Sequence, residues 1–215
     1  MTLKPTGTFW FWLGVTAMAM GVFVDITKEL LEGEVDAIDR AIVLAIARVR
    51  TPWVTVAAVD LTSLGSITVV ALFSILAIVT LLVLRDRRGA LQILSAFGGA
   101  VLWTQVTKGL IDRARPEVVP RLVEVSGFSY PSGHSLAAAS VYLTISILVS
   151  QHLQTTRARI AIFAVAGFII MLVAFSRVYL GVHYPTDVAG GIALGGAWAF
   201  LLASAFSLRG HRAQL

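Results

Sequence analysis

The chain has 215 residues, of which 57% are hydrophobic and only 13% charged, and its mean hydropathy is +0.85. A soluble domain carries about 25% charged residues, so this composition excludes an ordinary soluble fold and reads as one integral membrane domain over residues 1–215. The formal charge of +5 does not indicate nucleic acid, because the bases are scattered between apolar stretches and form no dense run interleaved with aromatics. With no cysteine, there is no disulfide, thiolate metal site or cysteine nucleophile.

Crossing about 30 Å of hydrocarbon takes roughly 17 to 25 apolar residues in a helix. Six segments meet that requirement: 8–24, 61–84, 89–107, 132–150, 160–176 and 188–208. An all-α bundle of six transmembrane helices is predicted, since only helices or closed barrels satisfy every backbone group in lipid and no alternating ten-residue pattern is present. In the first segment, Ala17-Met18-Ala19 resembles a signal-peptidase site. The lone Lys4 before it and the apolar run continuing to Val24 favour an uncleaved span. Residues 36–50 mix charges with Ile38, Ile42, Leu44 and Ile46 and end at Thr51-Pro52. Arg48 and Arg50 argue against a crossing there, so an amphipathic helix in the outer interface is expected, packing on the bundle in preference to guiding a lipid.

Orientation follows from the bases in the short connections. One set holds Lys4, Arg85, Arg87, Arg88, Arg157, Arg159, Arg209 and Arg212 against the single acid Asp86, and the other set holds nine bases against eleven acids. Both termini are therefore expected to be cytoplasmic. Three blocks rich in ionisable residues then fall on the extracytoplasmic face: Lys108 to Arg115-Pro116, Tyr130-Pro131-Ser132-Gly133-His134, and Ser176-Arg177 to His183 and Asp187.

Charged groups at or near lipid are costly unless they pair or serve a site. In the second block, Pro131 precedes the fourth span and suits a helix start. The N–H groups of Ser132, Gly133 and His134 are expected to be free, and with the Ser132 hydroxyl they would form an anion site at a helix N-terminus. In the first block, Lys108 offers a point charge, while Arg115, held extended by Pro116, offers a planar fork for two oxygens. In the third block, His183 and Asp187 lie four apart with Pro185 at the first turn of the sixth span. Asp187 is placed to accept from one imidazole nitrogen and leave the other basic. Arg177 ends the fifth span and adds a guanidinium. Two histidines, one backed by a carboxylate, with three cationic donors suit phosphoryl transfer through a covalent phosphohistidine. No carboxylate cluster suits a metal, and neither metal nor cofactor is expected.

These three blocks resemble the tripartite signature of the type 2 phosphatidic acid phosphatase superfamily. That family includes vanadium-dependent haloperoxidases and bacterial phosphatidylglycerophosphate phosphatase B. The match runs from Lys108 to Asp187 with no signature residue missing. The resemblance implies that His183 is the nucleophile, oriented by Asp187, and that His134 is the general acid. Lys108, Arg115, Ser132, Gly133 and Arg177 would hold the phosphate. The implied activity is metal-independent hydrolysis of a lipid monophosphate or diphosphate at the outer leaflet of a bacterial inner membrane. The implied partners are a lipid phosphate substrate and the surrounding lipids. A lipid phosphotransferase would use the same phosphohistidine. An anionic-lipid transporter fits less well, because no inverted repeat is visible and the charges gather at one face, away from the midplane.

Overall fold

The computed structural model describes residues 3–4 and 7–210. Helices α1 (Gly7–Leu31), α5 (Arg87–Leu110), α6 (Gly133–Ser150), α7 (Thr156–Tyr179) and α8 (Pro185–Ser207) are each long and apolar enough to cross a membrane. The shorter α3 (Pro52–Ser63) and α4 (Ile67–Val83) meet at a bend of 45° and only together are long and apolar enough for a sixth crossing, and α2 (Asp36–Arg48) lies beside the bundle. Besides the helices, Leu3–Lys4 (β1) pairs antiparallel with Arg209–Gly210 (β2). Among the described residues the all-α expectation therefore holds but for this two-residue pairing. Arg212, one of the bases that orient the chain, lies outside the described residues.

The helices overrun the apolar segments at their polar ends. Thus α1 continues from Val24 through Asp25, Lys28 and Glu29 to Leu31. Hydropathy marks where lipid begins, whereas the backbone ladder carries on into the interface wherever propensity allows. One expectation is corrected. The apolar run 61–84 is not a single straight helix, because α3 ends at Ser63 and α4 is restarted by Ser66, whose hydroxyl caps the Val69 N–H at 3.3 Å. Gly65 at the break lies against α6 and α7: a Cβ there would sit 3.0 Å from the His134 carbonyl oxygen and closer still to Val173. Tyr142 donates to the freed Leu64 carbonyl at 2.5 Å, so the bend leaves that backbone group satisfied.

The core sits between α6 and α8, each 61% buried along its span, while α1 lies at the periphery with Thr16 and Leu30 as its buried residues. The two central helices meet through small residues. A Cβ on Gly191 would stand 2.6 Å from the Ser132 carbonyl and 3.1 Å from the Ser135 Cβ, and one on Gly195 would stand 3.0 Å from the Ala139 Cβ. Lipid offers no hydrophobic drive for one helix to prefer another, so close backbone approach through small residues holds such pairs together. Leu136, Ala137, Val141, Leu194 and Leu202 close the core around this seam. With the helices running up and down, the C-terminal ends of α5 and α7 and the N-terminal ends of α6 and α8 share one end of the bundle.

Candidate active site

All eight site residues expected from the sequence lie at that end. His183 sits in the short connection between α7 and α8 and is buried. Its Nδ1 is 3.3 Å from Asp187 Oδ2, and its Nε2 is 3.2 Å from Arg115 Nη1. Asp187 is the third residue of α8, where Pro185 opens the helix. Its Oδ2 also accepts the Tyr184 N–H at 2.8 Å, so the carboxylate that holds the imidazole also caps the helix. Ser129 adds a hydroxyl donor to the same oxygen. Burial lowers the His183 pKa to about 4 although Asp187 pulls it upward, leaving the ring neutral near pH 7.

Arg115 is fixed by three carbonyls: Gly127 at 2.9 Å, Ser126 at 3.0 Å and Val182 at 2.8 Å. The connection 111–132 is thereby wrapped around its guanidinium. Lys108 ends α5 and donates to the Phe128 carbonyl at 2.6 Å. Arg177, 4% exposed, donates from Nη1 to Thr62 at 3.0 Å, while its Nε is buried with no hydrogen-bond partner. An unpaired guanidinium N–H costs free energy wherever it faces no acceptor, and an anion among these side chains would supply one. His134 is half-buried in the first turn of α6, and its ring makes no hydrogen bond among the described residues. It lies within electrostatic reach of Arg177, His183, Lys108 and Arg115.

The helix N-terminus differs from expectation in one respect. The Ser132 N–H is not free, because it donates to the Asp187 carbonyl at 2.9 Å and so ties α6 to α8. The Ser132 hydroxyl is the N-cap of α6, 3.4 Å from the Ser135 N–H, and it accepts the Ser135 hydroxyl at 3.1 Å. The N–H groups of Gly133 and His134, with no intrahelical acceptor to reach, are those left to point at an anion. Three residues that sequence reasoning left out also reach the site: Ser129, Arg113 and Asp39. Arg113 sits within the first block, but nothing local in the sequence identified its partners.

A second histidine, three cations and a helix N-terminus thus gather around a neutral imidazole backed by a carboxylate. The model of the PAP2 superfamily matches residues 89–210, which contain every one of these groups except Asp39 and Thr62. The chain belongs to the PAP2 superfamily. Among PAP2 proteins it is 35% identical over 200 residues to phosphatidylglycerophosphatase B of Bacillus subtilis, covering 93% of each chain. It is 32% identical over 123 residues to an undecaprenyl-diphosphatase of Sulfolobus acidocaldarius, covering 54% of this chain and 55% of that one. Its fold matches the crystal structure of a transmembrane PAP2 type phosphatidylglycerolphosphate phosphatase from Bacillus subtilis with a TM-score of 0.82 and 34% identity. That match covers 87% of this chain and 94% of the other. The PAP2 family and the multi-pass, all-helical architecture are those expected from the sequence.

Proposed function

We propose that this lipid phosphate phosphatase removes a phosphate from a membrane lipid head group at the extracytoplasmic face, through a phosphohistidine on His183 and without a metal. The observation that carries the reading is the setting of His183, gripped at Nδ1 by Asp187 and facing the Arg115 guanidinium at Nε2. A proton held on Nδ1 leaves the Nε2 lone pair free to attack. Arg115 would turn its donor from that lone pair to a phosphate oxygen when substrate arrives.

In the first step Nε2 forms a bond to phosphorus as the bond to the leaving oxygen breaks, and His134 gives that oxygen its proton. Asp187 stabilises the imidazolium character that develops on His183. In the second step His134 takes a proton from water, the water oxygen attacks phosphorus, and the P–N bond breaks to return neutral His183 and inorganic phosphate. Arg115, Arg177, Lys108 and the N–H groups of Gly133 and His134 hold the equatorial oxygens, whose charge they stabilise in place of a metal.

The side of the membrane is inferred from charge. Arg85, in the connection before α5, and Arg87, Arg88, Arg157 and Arg159, in the first turns of α5 and α7, cluster at the end opposite the site, with Asp86 as the acid among them. The positive-inside rule makes that end cytoplasmic, with both termini on the same side. The relative that matches nearly the whole chain is named for phosphatidylglycerophosphate, so that lipid heads the candidate substrates, ahead of undecaprenyl diphosphate and phosphatidic acid. The test is release of inorganic phosphate in detergent across this panel, ranked by kcat/KM, with EDTA present and no acceptor added. Phosphate should appear, and orthovanadate should inhibit as a mimic of pentacoordinate phosphorus. A strict magnesium requirement, or turnover only with an acceptor lipid, would overturn the hydrolytic, metal-free reading.

A further inference from the structure

Arg113 lies two residues before Arg115 yet faces a different set of partners. Its Nη1 donates to Asp187 Oδ1 at 2.8 Å and to Thr186 Oγ1 at 2.7 Å. Its Nη2 donates to Asp39 Oδ2 at 2.8 Å and to Asp36 Oδ1 at 3.2 Å, both on α2. The guanidinium lies over the Tyr184 ring, 4.3 Å from its centroid. Asp39 is 1% exposed, and it also accepts the Thr186 N–H at 3.1 Å and the Thr186 hydroxyl. Asp187 is fully buried, and its Oδ2 is already engaged by His183, Ser129 and the Tyr184 N–H. Among the described residues, Arg113 is the one donor recorded for Oδ1.

A buried carboxylate with one oxygen undonated would be free to rotate or to gather a proton. A guanidinium fork bound at one tip and anchored at the other has little freedom to follow it. We propose that Arg113 is a positioning residue of the phosphoryl-transfer site: with Asp39 of α2 as its second anchor, it fixes the Asp187 carboxylate and through it the tautomer and aim of His183. The amphipathic helix α2 is then part of the catalytic unit, because its one buried acid completes the clamp. This inference rests on the reading of His183 as nucleophile and Asp187 as its orienter.

The test is steady-state kinetics of Arg113→Gln, Arg113→Lys, Asp39→Asn and Asp187→Asn, and of Arg113→Gln combined with Asp187→Asn, on a lipid phosphate and an activated aryl phosphate. Arg113→Gln should lower kcat about 10- to 100-fold, as loss of a residue that orients a catalytic ligand commonly does, with KM changed less than about threefold. Arg113→Lys should recover only part of the loss, since an ammonium cannot bridge both carboxylates. Asp39→Asn should lower kcat less, about three- to tenfold, because the amide still accepts. The deciding readout is the double variant: if Arg113 acts through Asp187, removing it in the Asp187→Asn background should cost less than about threefold. An undiminished loss in that background, or wild-type kcat in Arg113→Gln, overturns the proposal. If Arg113→Gln fails to fold, Arg113→Lys and Asp39→Asn decide it by the same kcat and KM criteria. A fully active Asp187→Asn would instead sink the underlying mechanism, so the two failures are distinguishable.

Discussion

The two ends of the bundle use the same residue type for opposite purposes. At the site end, Arg113, Arg115 and Arg177 are largely withdrawn from solvent, and all but one of the nitrogens named above have a protein partner. At the far end, Arg85, Arg87, Arg88, Arg157 and Arg159 are exposed. The structured interactions there are modest: Asp86 caps the Gly89 N–H at 2.9 Å, and Arg159 donates to the Leu153 carbonyl at 3.0 and 3.1 Å. Burial makes the difference. A desolvated guanidinium must be paired and therefore has one position, whereas an exposed one remains free to meet anionic head groups. Substitutions at the two ends should accordingly differ by orders of magnitude in their effect on turnover.

The largest effect is expected at His183. His183→Ala should lower kcat by more than about 10³-fold with helical content retained, because the proposed phosphohistidine needs its imidazole. Retention of a tenth of wild-type activity would remove His183 from that role. Next comes Asp187→Asn, which should cost about 10² to 10⁴ in kcat through the wrong tautomer and lost imidazolium stabilisation. Stopped assays of phosphate release on purified protein measure both.

His134→Ala sharpens the comparison within the site. A lipid alkoxide needs a proton to leave and should lose about 10²-fold or more, whereas an aryl phosphate with a low-pKa phenol should lose far less. Equal losses on the two substrates would assign His134 to binding or folding. The pH profile follows from the same chemistry. As the proposed nucleophile His183 must be neutral, and burial lowers its pKa to about 4 from an ordinary 6.5, so the acid limb of kcat/KM should fall near pH 4 and not near neutrality. Because the folded state holds fewer protons than the unfolded one here, the associated stability is present above pH 6.5. It is lost as pH falls from 6.5 toward 4. An acid limb centred near 6.5 would mean that His183 is solvated.

The smallest effect belongs to the far end. Arg85 has φ of 61° at the turn between α4 and α5, a left-handed conformation that glycine adopts without strain. Arg85→Gly should leave kcat within twofold and raise unfolding stability by no more than about 1 kcal/mol. A large loss of activity would mean that the two ends communicate.

Much of this is legible in the sequence. The four spans α5 to α8 begin and end within about four residues of their apolar segments, because hydropathy over a full bilayer crossing is a strong local signal. His183, Asp187, Arg115 and Lys108 stood out because charge in so apolar a chain has few bland explanations. The broken span was less legible, since 61–84 is uniformly apolar and hydropathy carries no direction, although Gly65-Ser66 marks the place where the helix restarts. The clamp of Arg113 on Asp39 was not legible at all. Its partners lie 74 residues apart, and no helical or strand periodicity links positions at that separation. The same holds for the Ser132 N–H, whose acceptor is the Asp187 carbonyl on another helix.

The glycine seam between α6 and α8 also bears on how this enzyme should fail on heating. His134 and Ser132 belong to the α6 side, His183 and Asp187 to the α8 side, and the Ser132 N–H is bonded across the join. Separating the helices by even a side chain's width would part His134 from His183 at the moment the core opens. Catalysis and tertiary structure should thus belong to one cooperative unit, with thermal inactivation and loss of protection of the α6 and α8 amides following a single curve.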